Sequence, residues 1–228
     1  MSEKGRWNGL PLVIFGSGGI SREVAKLIED INSQLNVPIY ELLGYVSKAE
    51  DEVGLVHSGY KVITCDNNFI SFASSYSLLG VVIPQGFPRI KEEIFKNIKD
   101  ISSLVFPNII HPSVIMKRDS IALGIGNVIA ANVVMTLDIE IGDFNLINSS
   151  VTIGHDVRIS NYCVINPLVS ISGNVVLEDR VLVGTGASVL QNVVIGRNST
   201  IGIGSAVIKN VPCDSTSLGV PALTHRSI

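Results

Sequence analysis

His155 and Asp156 stand side by side in the stretch "NSSVTIGHDVRIS", residues 148–160. An imidazole titrates near neutral pH and can take a proton from an amine or hydroxyl nucleophile. A neighbouring carboxylate can hold the other ring nitrogen, which fixes the tautomer and stabilises the imidazolium. An exposed turn histidine would look the same in sequence. A second candidate is "GSGGIS", in which Gly16, Ser17, Gly18 and Gly19 follow an apolar run and open a helical pattern. Free N–H groups and the dipole at such a helix start favour a phosphate. A dinucleotide fingerprint would place a third glycine where Ser21 stands, and an acidic residue where "YVSK" ends the next apolar run, so NAD is not expected. A close-packed strand-to-helix turn without a ligand is the other reading of this loop.

The elements around these residues fall into two halves of different period. In the first, "PLVIF" (11–15) reads as a strand, and Val24, Leu27, Ile28 and Ile31 recur at helical spacing. "ELLGYV", "KVIT" and "LLGVVI" give further strands. "RIKEEIFKNI" (89–98) predicts a helix with Ile90, Ile94, Phe95 and Ile98 on one face. Strands alternating with helices point to a small parallel α/β sheet of the doubly wound kind.

The second half steps by six. From Leu123 through Ile129, Met135 and onward to Val207, every sixth residue is aliphatic or methionine. Neither a 3.6-residue helix nor a two-residue strand alternation does this. It is a hexapeptide repeat, the pattern of a parallel β-helix, and it spans roughly five coils. Glycine often follows the periodic position, as at Gly124, Gly142, Gly154, Gly184, Gly196 and Gly202, and is expected to help the chain turn its corners. His155 is the only histidine inside this regular run, two residues past an interior position and so at a corner.

Composition narrows the function classes. The net charge of −3 argues against a nucleic-acid partner, which calls for a basic surface. No stretch of about 18 apolar residues predicts a membrane span. The N-terminus lacks the apolar core of a signal peptide. Cys65, Cys163 and Cys213 are too few and scattered for a zinc cluster or a disulfide framework, and a reduced cytoplasm is the expected compartment. His57, His111 and His225 do not fall at coil spacings that could join His155 in a metal site of the γ-carbonic-anhydrase type, so no metal is expected.

Nearly the whole chain resembles the two-domain acyltransferases of bacterial sugar modification. These are the sialic acid O-acetyltransferase family, which includes N-acetyltransferases acting on nucleotide-linked amino sugars. The resemblance is carried by "VIFGSGGISREVA", by Arg89 after "VVIPQGFP", and by "INSSVTIGHDVRI", "SGNVVL", "GTGASVLQNVVIG" and "GVPA". It implies a Rossmann-like nucleotide-sugar domain over residues 1–106. It also implies a left-handed β-helix acyltransferase domain with a C-terminal tail over 107–228, in a homotrimer.

By the same resemblance His155 is the catalytic base, oriented by Asp156. Asn148 contacts the acceptor sugar, and the Gly173 N–H faces the thioester carbonyl, where a backbone donor would stabilise the oxyanion. Asn148 and Gly173 could equally be turn and corner residues. Gly184, Thr185, Gly202 and Ile203 would line the pantetheine groove, and Val220 and Pro221 of "GVPA" would close over the coenzyme. Gly16 to Gly19 would hold the nucleotide. Ser47 and Lys48 stand where the family usually has an acidic pair, and Ile83-Pro84 where it has "IG". Val164 replaces a second histidine that many members carry nine residues after the first.

The implied activity is acyl-CoA-dependent N-acylation, with acetyl as the acyl group, of a nucleotide-linked 4-amino-4,6-dideoxy sugar in surface-glycan (lipopolysaccharide) biosynthesis. O-acetylation of a sialic acid or related sugar, and a non-enzymatic trimeric scaffold, are the alternatives.

Overall fold

The computed structural model describes residues 8–226. The first half runs β1 (Leu10–Phe15), α1 (Gly19–Ser33), β2 (Tyr40–Ser47), β3 (Val56–His57), β4 (Tyr60–Cys65), α2 (Phe69–Ala73), β5 (Leu79–Val82), α3 (Pro88–Ile98) and β6 (Leu104–Val105). The sheet order is β3-β4-β2-β1-β5-β6, with every neighbour parallel except the β3–β4 hairpin. The sheet grows from β1 first toward β2 and then back toward β5. The loop after β1 therefore opens over the crevice where the strand order reverses, the usual place for a ligand in such sheets.

One sheet face buries Val13, Phe15 and Val81 against Phe69 of α2 and Ile98 of α3. The other buries Leu12, Ile14 and Tyr45 against Val24, Leu27, Ile28 and Ile31 of α1, the four residues picked out by helical spacing. That second core does not stop at the sheet. It continues through Ile109, Val128, Leu146 and Val164 of the β-helix, so the two halves share one hydrophobic interior.

α3 departs from the expected face. Ile90 is 43% exposed, and Lys91 is 1% exposed in its place. Helix α3 lies between the sheet and the β-helix, and the face turned inward runs Lys91, Ile94, Phe95 and Ile98. An apolar count of the helix could not anticipate a lysine on it. The Lys91 Nζ donates to the Cys163 carbonyl at 3.4 Å, and burial pulls its pKa down to about 7. Beside it Arg180 and Glu92 form an ion pair at 3.3 Å between the two halves.

From Ile121 to Val207 short rungs stack in parallel with paired rungs 18 residues apart, as in Val134–Thr152–Ser170–Ser188–Ala206, and the leading rung Ile109–Ile110 pairs 19 residues on with Val128–Ile129. Three six-residue sides make one coil. From Ile129 to Val207 every sixth residue is buried, and Val151, Val157, Cys163 and their equivalents fill a second interior row.

The corners are built differently from expectation. The glycines after the interior positions have ordinary φ, and the bend is made two residues later. From Asn132 to Gly204 every sixth residue has positive φ, including Phe144, Tyr162, Leu168 and Arg180. Glycine is needed at Gly154 for a different reason. A Cβ there would sit 2.7 Å from the Gly173 nitrogen of the next coil. It permits close stacking of coils, while left-handed backbone turns the corner.

Among the described residues no helix is long and apolar enough to cross a membrane. After the last rung a tail folds back over the end of the coil. Its Ser215–Leu218 strand pairs with Thr200–Ile201 and with Leu223–Arg226.

Candidate active site

His155 and Asp156 occupy one corner of the second full coil. Asp156 takes the left-handed conformation, φ 58°, and its N–H is bonded to the Leu137 carbonyl one coil below. That bend turns the carboxylate back onto its neighbour, and His155 Nδ1 lies 2.7 Å from Asp156 Oδ2. With the ring proton on Nδ1 donated to Asp156, Nε2 keeps its lone pair. Both side chains are more than half exposed in the single chain, 60% and 53%. The ring lies over Gly173, one coil up. A Cβ on Gly173 would stand 2.6 Å from His155 Cε1 and 2.7 Å from Nε2, so the imidazole occupies space that only glycine leaves. The Gly173 N–H has no hydrogen-bond partner among the described residues, while its carbonyl receives the Asn192 N–H.

Asn148 sits on a different corner. The side between them carries Thr152 outward and Ile153 inward. Asn148 is 8% exposed and its Nδ2 donates to Asn166 Oδ1 at 3.4 Å. It lies in a cleft of about 600 Å³ between the β-helix and α1, whose wall also includes Gly19. Gly184 with Thr185, and Gly202 with Ile203, continue the Asn148 edge through the next coils, as the bonds Gly186 N–H to Pro167 and Gly204 N–H to Thr185 show. Ile203 and Val220 are 80% and 76% exposed, and with Pro221 they leave an apolar strip at the end of that edge. Gly202 is close-packed by the tail, its Cβ position lying 2.8 Å from Leu218 Cβ.

The sequence-predicted residues thus fall on two parallel edges of one β-helix side. His155, Asp156 and Gly173 lie on the first. Asn148, Gly184, Thr185, Gly202 and Ile203 lie on the second. Between them runs a smooth row of Val134, Thr152, Ser170, Ser188 and Ala206. Val164 is on neither edge. It is fully buried against the first half, on another side of the coil.

Around the glycine loop, Gly18 caps α1, and Gly16, at φ 93°, packs against the Gln85 amide, which donates to the Phe15 carbonyl. Ser17 Oγ donates to Glu52 Oε2 at 3.0 Å. Ser47 is 1% exposed and its hydroxyl is bonded to the Ala49 carbonyl, so it does not face the loop's opening. Lys48 is exposed near Asp66, whose carboxyl is raised by burial and lowered in part by that lysine. Arg89 is exposed at the start of α3.

Two residues escaped the sequence reading. Glu52 reaches the loop from the short turn Glu50–Glu52, a tertiary approach with no sequence signal. Arg22 lines the cleft one turn into α1. Its i, i+4, i+8 spacing with Lys26 and Asp30, which also line the cleft, was the available clue.

No family model matches the sequence, and no curated protein matches it. Solved structures do, over nearly the full length. PerB from Caulobacter crescentus, solved with CoA and GDP-perosamine, is 26% identical. The match covers 94% of this chain and 97% of that one, with a TM-score of 0.82. The acetyltransferase domain of PglB from Neisseria gonorrhoeae, solved with acetyl coenzyme A, is 25% identical over 95% of this chain and 100% of that one, TM-score 0.82. WeeI from Acinetobacter baumannii shares the fold at 21% identity, 95% and 100% coverage and a TM-score of 0.81. Over its whole length, histidine–aspartate corner included, the chain is thus similar to bacterial sugar acetyltransferases solved with coenzyme A or acetyl coenzyme A.

Proposed function

We propose that the chain is an acyl-CoA-dependent N-acyltransferase. It moves an acetyl group to the 4-amino group of a nucleotide-linked 4-amino-4,6-dideoxy sugar, in the cytoplasmic steps of surface-glycan (lipopolysaccharide) biosynthesis. The observation that carries the reading is the His155–Asp156 pair with its ring over Gly173. It sits in a fold shared end to end with an enzyme solved with CoA and GDP-perosamine. In this reading residues 1–106 are the Rossmann-like nucleotide-sugar domain and 107–228 the left-handed β-helix acyltransferase domain.

The thioester of acyl-CoA supplies an activated acyl group. His155 Nε2 takes the proton that the amine sheds as it attacks, and Asp156 holds Nδ1–H and stabilises the imidazolium. The unbonded Gly173 N–H is placed to donate to the oxygen on which charge develops. The exposed Ile203 and Val220 strip suits an apolar pantetheine arm, with Gly184, Thr185, Gly202 and Pro221 along the same edge.

The two edges stand apart within one chain. Packing of their shared side around a threefold axis sets the His155 edge of one copy against the Asn148 edge of the next, so the working site is formed between subunits of a homotrimer.

Incubation with acetyl-CoA and, separately, a nucleotide-linked 4-amino sugar and a sialic acid, followed by mass spectrometry, tests the reading. Gain of one acetyl group on the nucleotide-linked amine is expected. Acetylation of the sialic acid alone would replace N- by O-transfer, and no product with any acceptor would leave a scaffold.

A further inference from the structure

The cleft between α1 and the β-helix carries a charge that the mechanism above does not use. Its wall includes Gly19, Arg22, Lys26 and Asp30 of α1, with His111 and Asn148 of the β-helix. The α1 residues advance one turn at a time, about 16 Å from Gly19 to Asp30 at the rise of an α-helix. They run from the glycine loop toward the β-helix corner.

Most of these charges are already matched. Lys26 Nζ is held by both Glu29 oxygens at 2.8 and 2.9 Å. Asp30 Oδ2 lies 3.4 Å from His111 Nε2 across the far end of the cleft. His111 Nδ1 accepts the Ser113 N–H at 3.0 Å, which leaves the ring proton on Nε2, toward Asp30. Arg22 is different. Its guanidinium makes no ion pair and no hydrogen bond among the described residues, and it is exposed to the cleft. Glu23, the unpaired carboxylate beside it, can only accept. Deeper in the same cleft, Asn148 is 8% exposed and its Oδ1 receives no donor.

An unpaired guanidinium and a nearly buried, unpartnered amide oxygen at two points of one cleft describe a ligand with an anionic and a hydroxyl- or amine-bearing part. A guanidinium presents N–H donors in a fork that matches two phosphate oxygens at once. We propose that Arg22 anchors the diphosphate of the nucleotide-linked acceptor and so selects diphosphate-linked sugars over free ones, with the sugar toward Asn148 Oδ1. This rests on the nucleotide-sugar reading and adds to it the residue that recognises the linkage.

Titration calorimetry of the full chain with GDP, UDP and the matching nucleosides, on the wild type, Arg22→Lys and Arg22→Ala, tests it. The wild type should bind a diphosphate at least about 10-fold more tightly than its nucleoside, as expected of charge-assisted bonds. Arg22→Ala should erase most of that ratio without weakening nucleoside binding, and Arg22→Lys should fall between. In steady state, Arg22→Ala should raise KM for the nucleotide-linked amine about 10- to 100-fold and leave KM for acyl-CoA in place. A diphosphate preference that survives Arg22→Ala would remove Arg22 from this role while the nucleotide-sugar reading stands. Equal loss for nucleoside and diphosphate would also count against it, as general damage to the cleft. A wild type that binds no diphosphate and acetylates only free amino sugars would overturn the nucleotide-sugar reading itself.

Discussion

At the scale of single residues, the proposed base is positioned by a backbone device. The left-handed turn at Asp156 folds its carboxylate onto the preceding imidazole, so adjacent residues in sequence form a 2.7 Å pair. If the neutral ring is the base, His155→Ala should lower turnover about 10²- to 10⁴-fold, the usual contribution of a general base. Asp156→Asn should cost no more than His155→Ala, because the ring keeps its place but loses both its charge balance and the carboxylate that fixes its tautomer. Steady-state kinetics on both variants, with acyl-CoA binding unchanged, is the check; a His155→Ala enzyme near wild-type turnover would reassign the base. Gly173 brings a second prediction. Even Gly173→Ala places a methyl 2.6 Å from His155 Cε1, so the ring must swing away. Turnover should fall toward that of His155→Ala with little change in melting temperature. For the same reason Gly173→Val does not isolate a backbone oxyanion donor: it displaces the base as well. Unchanged activity in Gly173→Ala would show that the ring works from another position.

At the scale of elements, the six-residue period was legible because each β-helix side buries the same position in every coil, and Ile129 to Val207 follow it without a slip. The glycines at Gly154 and Gly184 were visible too, but their purpose was not, since close approach of the next coil is not encoded nearby. Lys91 was illegible for a related reason. A hydrophobic count assigns lysine to water, whereas α3 is squeezed between a sheet and a coil and turns it inward. That burial has a consequence for stability. The unfolded chain binds the Lys91 proton below its ordinary 10.5, the folded chain only below about 7. Stability therefore rises with pH from about 7 toward 10.5 through this group. Burial also raises Cys163 from 9.0 and Tyr162 from 10.0, each to about 12. The folded chain keeps those protons after the unfolded chain has lost them, so Cys163 cancels the rise from about 9 and, with Tyr162, turns it into a fall above about 10. Chemical denaturation across this range should show a broad maximum between about pH 9 and 10. Lys91→Met should raise stability at pH 7 by on the order of 3–4 kcal/mol and flatten the rise up to pH 9. A destabilised Lys91→Met protein would mean that the bond to the Cys163 carbonyl outweighs the cost of burying the amine.

At the scale of the whole molecule, the three β-helix sides are not equivalent. One is covered by the first half, through Val128, Leu146 and Val164. A second points Glu140 and Arg158 outward, with a 3.5 Å ion pair between them, as a surface in water does. The third carries the flat row Val134, Thr152, Ser170, Ser188 and Ala206. Its margins expose Leu137 at 48%, Leu168 at 65% and Leu190 at 50%. Leu168 is the telling residue. It holds a left-handed backbone at φ 63°, a cost of roughly 1–2 kcal/mol for a residue with a branched apolar side chain, and gains no burial for it in the single chain. Apolar margins around a flat side favour association, and a closed threefold arrangement covers them in every copy. Light scattering at micromolar concentration should therefore give a trimer mass. Ser170→Arg, which puts a long cation at the middle of the flat row, should shift it toward monomer. Leu168→Asn should separate the two scales: asparagine tolerates the left-handed turn, so the isolated subunit should gain up to about 1 kcal/mol while the assembly weakens. Acetyl transfer should fall with the trimer in Ser170→Arg although His155, Asp156 and Gly173 remain untouched, because in the proposed trimer the Asn148 edge that completes the site belongs to the neighbouring copy. A monomeric Ser170→Arg protein with full activity would place the whole site within one chain and dissolve the link between assembly and catalysis.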